Sequence, residues 1–164
     1  MSTRPPPKDK PPVTTLSQQS DKDLVEFAFF TEIAIVDQLV RNRIEKHLTD
    51  GLSMAQFSLL THFYRLGGRW NLVRLARAFQ VSKPAMTKIV HKLEQKGFVG
   101  VEPDPDDGRG KLVGLTQAGD EAWHRAILTL MPLVEEFRSR FTYSELKQTL
   151  PLLQSIRTWL DENR

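Results

Sequence analysis

The segment Ser82-Lys-Pro-Ala-Met-Thr-Lys-Ile-Val-His-Lys-Leu-Glu-Gln-Lys-Gly97, followed shortly by Asp104-Pro-Asp-Asp-Gly-Arg-Gly-Lys111, decides the fold of this chain. The first part is predicted to be a short basic helix that begins after a serine cap and ends at a glycine. The second part is predicted to be a charged loop joining two apolar strands at 98–101 and 112–115. A basic helix beside a basic hairpin is typical of a winged helix-turn-helix, which places one element in the major groove of DNA and the other at the neighbouring backbone or minor groove.

The basic helix, residues 82–96, has two distinct faces. Met86, Val90 and Leu93 recur at i, i+4 and i+7, so they are expected to point into the core. The other face is predicted to contact DNA. Its residues are Ser82, Lys83, Pro84, Thr87, Lys88 and His91. Hydroxyl and imidazole groups can donate and accept hydrogen bonds at base edges, while lysines can meet phosphates or guanine acceptors. The alternative is a solvated face that happens to be basic; the short turn, the preceding helix and the hairpin all favour the DNA interpretation.

The hairpin, which we call the wing (residues 103–111), carries the second set of candidate contacts. Arg109 is predicted at its tip, where a guanidinium can enter a narrow minor groove. Lys111 is expected to contact a phosphate. Asp104 and Asp107 would repel phosphates, so we expect them to cap the turn or to orient the arginine by pairing with it. The alternative is a polar hairpin whose charges only pair with one another.

The segments outside this unit predict additional helices. Residues 1–20, rich in proline, are expected to be a disordered tail. Residues 21–50 form an apolar helix, residues 51–116 the winged unit, and residues 117–164 two further helices. The first of these last two is predicted to carry an apolar stripe at Trp123, Ile127, Leu130, Val134, Phe137 and Phe141. The fold class is therefore mainly α with a small β-hairpin wing, a winged helix-turn-helix flanked by N- and C-terminal dimerisation helices.

Charge is distributed unevenly along the 164 residues. Residues 51–115 carry ten Lys/Arg and five Asp/Glu, although the net charge of the whole chain is only +3. This local surplus suggests that the winged unit meets a polyanion. There is no cysteine, which excludes disulfides and thiol chemistry. No apolar run suits a membrane span or secretory signal, so we expect a cytoplasmic protein associated with the nucleoid.

Taken in order, several motifs resemble the MarR (multiple antibiotic resistance regulator) family. They are Leu52-Ser-Met-Ala-Gln-Phe57, Leu72-x-x-Leu-Ala76, Val81-Ser-x-x-x-Met-Thr-x-x-Val90, Leu93-Glu-x-Lys-Gly-Phe-Val99, Asp104-Pro-x-Asp-x-Arg109 and Leu115-Thr-x-x-Gly119. The resemblance covers residues 24–160 and implies a homodimeric bacterial transcription regulator, usually a repressor. Such proteins bind a roughly palindromic operator with two recognition helices and two wings, and a small ligand often releases them. Gly108 and Gly110 depart from the pattern and predict a looser wing tip.

Other functions remain as alternatives. No phosphate-binding loop, metal-binding histidine pair or nucleophile elbow is present, so catalysis and a cofactor are not expected. A winged-helix adaptor for protein partners and a metal-responsive regulator are the competing hypotheses. The resemblance leaves the effector open. A pocket with His62, Arg69 and Trp70 would suit a small aromatic or phenolic acid, whereas in the alternative Trp70 only covers the core and Arg69 is solvated.

Overall fold

The computed structural model describes residues 21–105 and 107–163, with the side chains of residues 21–23, 108 and 109 outside that description. The elements run in the order α1 (Asp21–Glu45), α2 (Met54–Leu66), β1 (Arg69–Asn71), α3 (Leu72–Ala78), α4 (Lys83–Gln95), β2 (Val99–Asp104), β3 (Asp107–Leu115), α5 (Gln117–Arg140) and α6 (Tyr143–Glu162). The predicted disordered tail at 1–20 lies outside the described residues. The mainly helical fold with a small antiparallel sheet confirms the predicted fold class.

Local capping signals place the ends of the helices in the winged unit. Ser53 and Gln56 form the predicted capping box at the start of α2. The hydroxyl of Ser82 accepts a hydrogen bond from the Ala85 amide at the start of α4. Gly97, at φ +73°, follows the end of α4 in the left-handed conformation that glycine tolerates best. These boundaries are as the sequence predicts because each depends on residues within one turn of the helix end.

The sheet contains one strand that the sequence did not predict. Its order is β1-β3-β2, and all neighbours are antiparallel. In β1, Trp70 pairs with Val113 in the middle of β3. This strand is only three residues long, between the glycines that end α2 and the first turn of α3, so it has no alternating pattern of its own. Only the antiparallel pairing with β3 makes this segment a strand.

The two strands of the wing are longer than predicted, because they include most of the charged segment. The ladder continues through Pro103↔Lys111 to Asp104↔Asp107, and the register shifts between these two pairs. Residues 108–110 therefore form a bulge in β3. The prediction that Arg109 lies at the tip of a loop is wrong: its backbone is in β3, inside the bulge.

One hydrophobic core joins α2, α3, α4, the sheet and the first half of α5. Its fully buried large side chains are Phe63, Leu59, Leu60, Leu75, Met86, Leu93 and Val113. The predicted inward row of α4 is confirmed, since Met86 and Leu93 are completely buried and Val90 nearly so. Each such side chain contributes about 1.5–3 kcal/mol to folding by leaving water. The core thus holds α4 in place and leaves its opposite face in solvent.

The predicted apolar stripe of α5 is only partly buried. Small residues, Ala122 and Ala126, are fully buried where α5 meets the core, together with Leu130. Trp123 and Ile127 lie at the margin of this contact and are partly buried. The later members of the predicted row, Val134, Phe137 and Phe141, are exposed. Alanines occupy the contact because they let the helix approach the core closely.

The described residues divide into two units, with the boundary between Val40 and Arg41 inside α1. In the first unit, every side chain described from Leu24 to Val40 is exposed. In the second unit, α6 has no buried residue and exposes Leu146, Leu150, Leu153 and Leu160. No helix within residues 21–105 and 107–163 has the length and apolar character needed to cross a bilayer.

Candidate nucleic-acid interface

The solvent face of α4 presents every residue that the sequence assigned to it. Ser82, Lys83, Pro84, Thr87, Lys88 and His91 are all exposed. The first turn of α4 contains no acidic residue, and Pro84 sits where a missing N–H does no harm. The positive end of the helix dipole and Lys83 therefore act at the same place, which favours an anion such as a phosphate.

Two polar side chains on this face are already hydrogen-bonded within the helix. The Thr87 hydroxyl donates a hydrogen bond to the Lys83 carbonyl at 2.9 Å. Towards solvent, this hydroxyl can therefore act only as a hydrogen-bond acceptor. His91 lies 3.0 Å from the Gln95 amide nitrogen and 3.8 Å from the Glu94 carboxylate. To contact a base edge, His91 must exchange these local interactions for new ones.

A cleft of about 490 Å³ connects α4 to the wing. From α4 it is lined by Lys83, Thr87 and His91, and from β3 by Lys111. The remaining lining residues include Asn71, Leu72, Val73, Glu94, Val101, Asp107 and Gly110. The helix face and the wing strand are therefore two walls of one concave surface. Its charge is mixed, with two lysines and two carboxylates along the walls.

The sequence did not identify the contribution of α3 to this cleft. Asn71 caps α3, accepting a hydrogen bond at its side-chain oxygen from the Arg74 amide at 2.9 Å, and it also lines the cleft with Val73. An asparagine directly before an apolar helical repeat is a capping signal that identifies the start of α3. Nothing in that signal indicates that α3 starts beside the wing, because that depends on the pairing of β1 with β3.

The end of the wing ladder leaves no room for a side chain at Gly110, while the looser tip expected from Gly108 and Gly110 stays a prediction. A Cβ atom on Gly110 would lie 2.9 Å from the Asp104 Cβ and 3.1 Å from an Asp107 carboxylate oxygen. Asp104 and Asp107 also face each other across the ladder, so they enclose the bulge that contains Arg109. Their predicted role in orienting Arg109 stays a prediction, since the arginine side chain lies outside the described part. Lys111 is exposed beside the cleft.

The three residues suggested for an effector do not line one pocket. The rings of His62 and Trp70 are in contact, with centroids 4.7 Å apart, and Phe79 lies 5.3 Å from His62. The Trp70 indole donates to the Gly67 carbonyl at 2.9 Å, and Arg74 stacks 4.9 Å from its ring centroid. Together these rings form an aromatic cluster between α2, β1 and the end of α3.

Arg69 does not belong to this cluster. Its guanidinium forms an ion pair with Glu102 on β2 instead. It lines a different pocket of about 400 Å³ together with Phe63, Tyr64, Gly67, Gly68, Gly114, Leu115 and Asp120. Neither His62 nor Trp70 lines that pocket. Sequence reasoning missed Tyr64, whose ring stacks on Trp123 at 3.5 Å. The aromatic pairing joins residues 59 positions apart, so no local pattern reveals it.

The partly buried environment of His62 changes its titration. Burial lowers the pKa of His62 below its ordinary value of 6.5, and the nearby Arg65 guanidinium lowers this pKa further. Its buried Nε2 has no hydrogen-bond partner among the described atoms. Across residues 21–105 and 107–163, no three histidine or carboxylate side chains come together in a way that could hold a metal ion.

Comparison with known proteins gives one family. The model of the MarR family matches residues 52–111. The transcriptional activatory protein BadR of Rhodopseudomonas palustris is 27% identical over 103 residues, which is 62% of this chain and 59% of that protein. The chain spans between about half and two thirds of the length of the curated relatives it matches.

Two solved structures extend the likeness to most of the chain. The transcriptional regulator BldR from Sulfolobus solfataricus matches with a TM-score of 0.74 at 26% identity, over 85% of this chain and 99% of that one. A mutant MarR from E. coli complexed with operator DNA matches with a TM-score of 0.70 at 26% identity, over 84% of this chain and 99% of that one.

Proposed function

The chain belongs to the MarR family of winged-helix proteins, and on that premise we propose that it is a homodimeric transcription regulator that binds specific double-stranded DNA. In this proposal α4 enters the major groove and the wing meets the adjacent minor groove or backbone. The site is a pseudo-palindromic operator, since a two-fold dimer presents two identical readers. The protein acts in the cytoplasm on the nucleoid.

The cleft shared by α4 and the wing is the observation that carries this proposal. Lys83, Thr87 and His91 line it from the helix, and Lys111 lines it from β3. A surface of this kind offers lysines to phosphates and hydrogen-bonding groups to base edges within one concave wall. The absence of any acidic residue in the first turn of α4 removes the charge that would repel the DNA backbone there.

Exposed apolar residues support the homodimer. Leu146, Leu153 and Leu160 lie along α6 and are 39%, 41% and 50% exposed. Phe137 and Phe141 lie near the end of α5 with their rings 4.7 Å apart, and both are exposed. Several large apolar side chains exposed on neighbouring turns of a helix indicate an interaction site. A second copy of the chain is the partner that a two-fold operator requires.

We further propose that the regulator is a repressor that a small aromatic or phenolic molecule releases. The relative BadR is named as an activatory protein, so both directions of control must be tested. A promoter fusion with and without the regulator gene distinguishes them: higher expression without the gene supports repression, and lower expression supports activation. Aromatic acids and phenols are then tested for loss of DNA binding by the purified protein.

The first experiment is a selection of random duplex DNA on the purified protein at two salt concentrations. Enrichment of a palindrome with half-sites about one helical turn apart supports a dimeric sequence-specific regulator. Binding that is strongly salt-dependent but enriches no motif indicates a non-specific DNA binder. No binding favours the protein–protein adaptor.

A further inference from the structure

The tight turn between α1 and α2 is held from two sides. Thr49 and Leu52 close it with a backbone hydrogen bond of 3.0 Å, and its two central residues, Asp50 and Gly51, have φ values of +56° and +60°. Two successive positive φ angles identify a type I′ turn, for which Asp-Gly is a favoured pair. The carbonyl oxygens of Asp50 and Gly51 take no part in the hydrogen bond that closes the turn.

Lys96, the residue that caps the C-terminal end of α4, reaches this turn. Its ammonium group donates to the Asp50 carbonyl and, at 3.1 Å, to the Gly51 carbonyl. Two of its three N–H groups are therefore occupied by backbone oxygens from a segment 45 residues earlier. These bonds have a charged donor, which makes each of them stronger than a neutral hydrogen bond.

Arg125 of α5 holds the same turn from another direction. Its guanidinium lies 3.3 Å from the Asp50 carboxylate through both Nε and Nη2. The turn thus links the end of α4 to α5 through Lys96 and Arg125. We call this arrangement the Asp50 clamp.

We propose that Lys96 is a positioning residue for DNA recognition, acting through the Asp50 clamp rather than by contacting DNA. This inference rests on the proposed DNA-binding function. The predicted base contacts lie in the first nine residues of α4, and Lys96 is five residues beyond His91, the last of them, which is about 7.5 Å along the axis. Because α4 is about 20 Å long, a displacement of 1 Å at its C-terminal end tilts it by roughly 3°. A tilt of that size moves the reading side chains relative to the bases.

The test compares Lys96→Met with Lys92→Met in the full-length chain. Both variants remove one positive charge from the C-terminal end of α4, but Lys92 is exposed and makes no hydrogen bond to the turn in the described structure. We expect Lys96→Met to lose about five- to tenfold in affinity for the selected operator beyond the loss in Lys92→Met. Affinity for random duplex DNA and the salt dependence should change equally in the two variants. Lys96→Arg, which keeps a charged donor, should restore operator affinity.

Three results would overturn the inference. Operator binding by Lys96→Met equal to that of Lys92→Met removes any role of the clamp. A salt slope about one unit smaller in Lys96→Met alone would make Lys96 a phosphate contact. If Lys96→Arg does not restore operator affinity and its melting temperature is lowered, Lys96 is a general stabilising residue and not a positioning residue.

A double-mutant cycle with Arg125→Met separates the clamp from the fold as a whole. If both residues act through the turn, the fold-loss of operator affinity in the double variant should be smaller than the product of the fold-losses in the two single variants. Independent losses would contradict a shared clamp.

A wild-type protein that selects no duplex sequence would instead refute the proposed function. Hydrogen exchange then still tests the contact itself, since Lys96→Met should speed exchange in the last turn of α4 and Lys92→Met should not.

Discussion

Replacing Gly119 with alanine should destabilise this protein, although alanine is the better helix former. Gly119 is buried in the first turn of α5, where its amide donates to the Thr116 hydroxyl at 3.0 Å. An alanine Cβ there would lie 2.0 Å from the Phe98 carbonyl oxygen and 2.9 Å from the Leu115 Cδ1. The first separation is more than 1 Å inside the ~3.5 Å at which non-bonded atoms attract. The carbonyl belongs to the backbone, so it cannot rotate away as a side chain would.

The size of the effect follows from two opposing contributions. Helix propensity alone would stabilise the alanine variant by about 1 kcal/mol. Overpacking against backbone typically costs about 1–3 kcal/mol or more, and this contact is among the closest that a new Cβ can make. We therefore expect a net loss of about 2 kcal/mol in the free energy of unfolding. In a chain of this length that corresponds to a fall in melting temperature of roughly 4–8 °C.

Gly100→Ala is the matched control, since Gly100 lies in β2 and its new Cβ would be 3.9 Å from the Thr116 Cγ2, an ordinary contact. Its effect should lie within about 1 kcal/mol of zero and lean towards stabilisation. Urea unfolding at one fixed protein concentration measures both variants, because a dimer's apparent stability depends on concentration. A Gly119→Ala midpoint equal to or above that of the wild type would refute the steric reasoning.

Three further predictions concern the interface and the buried histidine. Arg109→Ala should weaken operator binding by about 1–3 kcal/mol if the arginine reads a groove; unchanged affinity in a fluorescence-anisotropy titration would remove the wing from the mechanism. Lys88→Ala should reduce the salt slope by about one unit if Lys88 contacts a phosphate, whereas a loss for one sequence only would assign it to a base. Because the folded-state pKa of His62 is below its ordinary 6.5, the unfolded chain binds more protons below that pH, and stability should fall as pH drops from 6.5 towards the lowered pKa. The unfolding free energy of wild type relative to His62→Phe should therefore decrease between pH 7.5 and pH 5.5, and a difference independent of pH would contradict the assignment.

Much of the interface could be predicted from the sequence because its signals are local. Ser82 and Gly97 mark the ends of α4 by chemistry that acts within one helical turn. The apolar spacing of Met86, Val90 and Leu93 determines which face of α4 is buried and hence which face remains in solvent. The same spacing identifies the exposed residues that we predict to face DNA. Their role in binding DNA stays a prediction.

Other features could not be predicted because they depend on contacts between distant segments. Strand β1 exists through its pairing with β3, and the register shift between β2 and β3 places the Arg109 backbone in a bulge. The hydrophobic pattern of α5 shows an apolar stripe that includes Trp123, but the residues fully buried where the helix closely approaches the core are Ala122 and Ala126. Hydrophobicity indicates which side chains gain from leaving water, while the closeness of packing decides which of them fit.

By itself, then, the sequence determined the fold class, the limits of α4 and the identity of its polar face, since each follows from propensity, capping and periodicity along a single segment. Only the tertiary structure decided that α3, α4 and the wing share one cleft, that Gly110 and Gly119 have no room for a side chain, and that Lys96 binds the turn at Asp50–Gly51. These features join residues far apart in the chain. Their positions depend on how the whole core packs, and one-dimensional patterns carry no information about that packing.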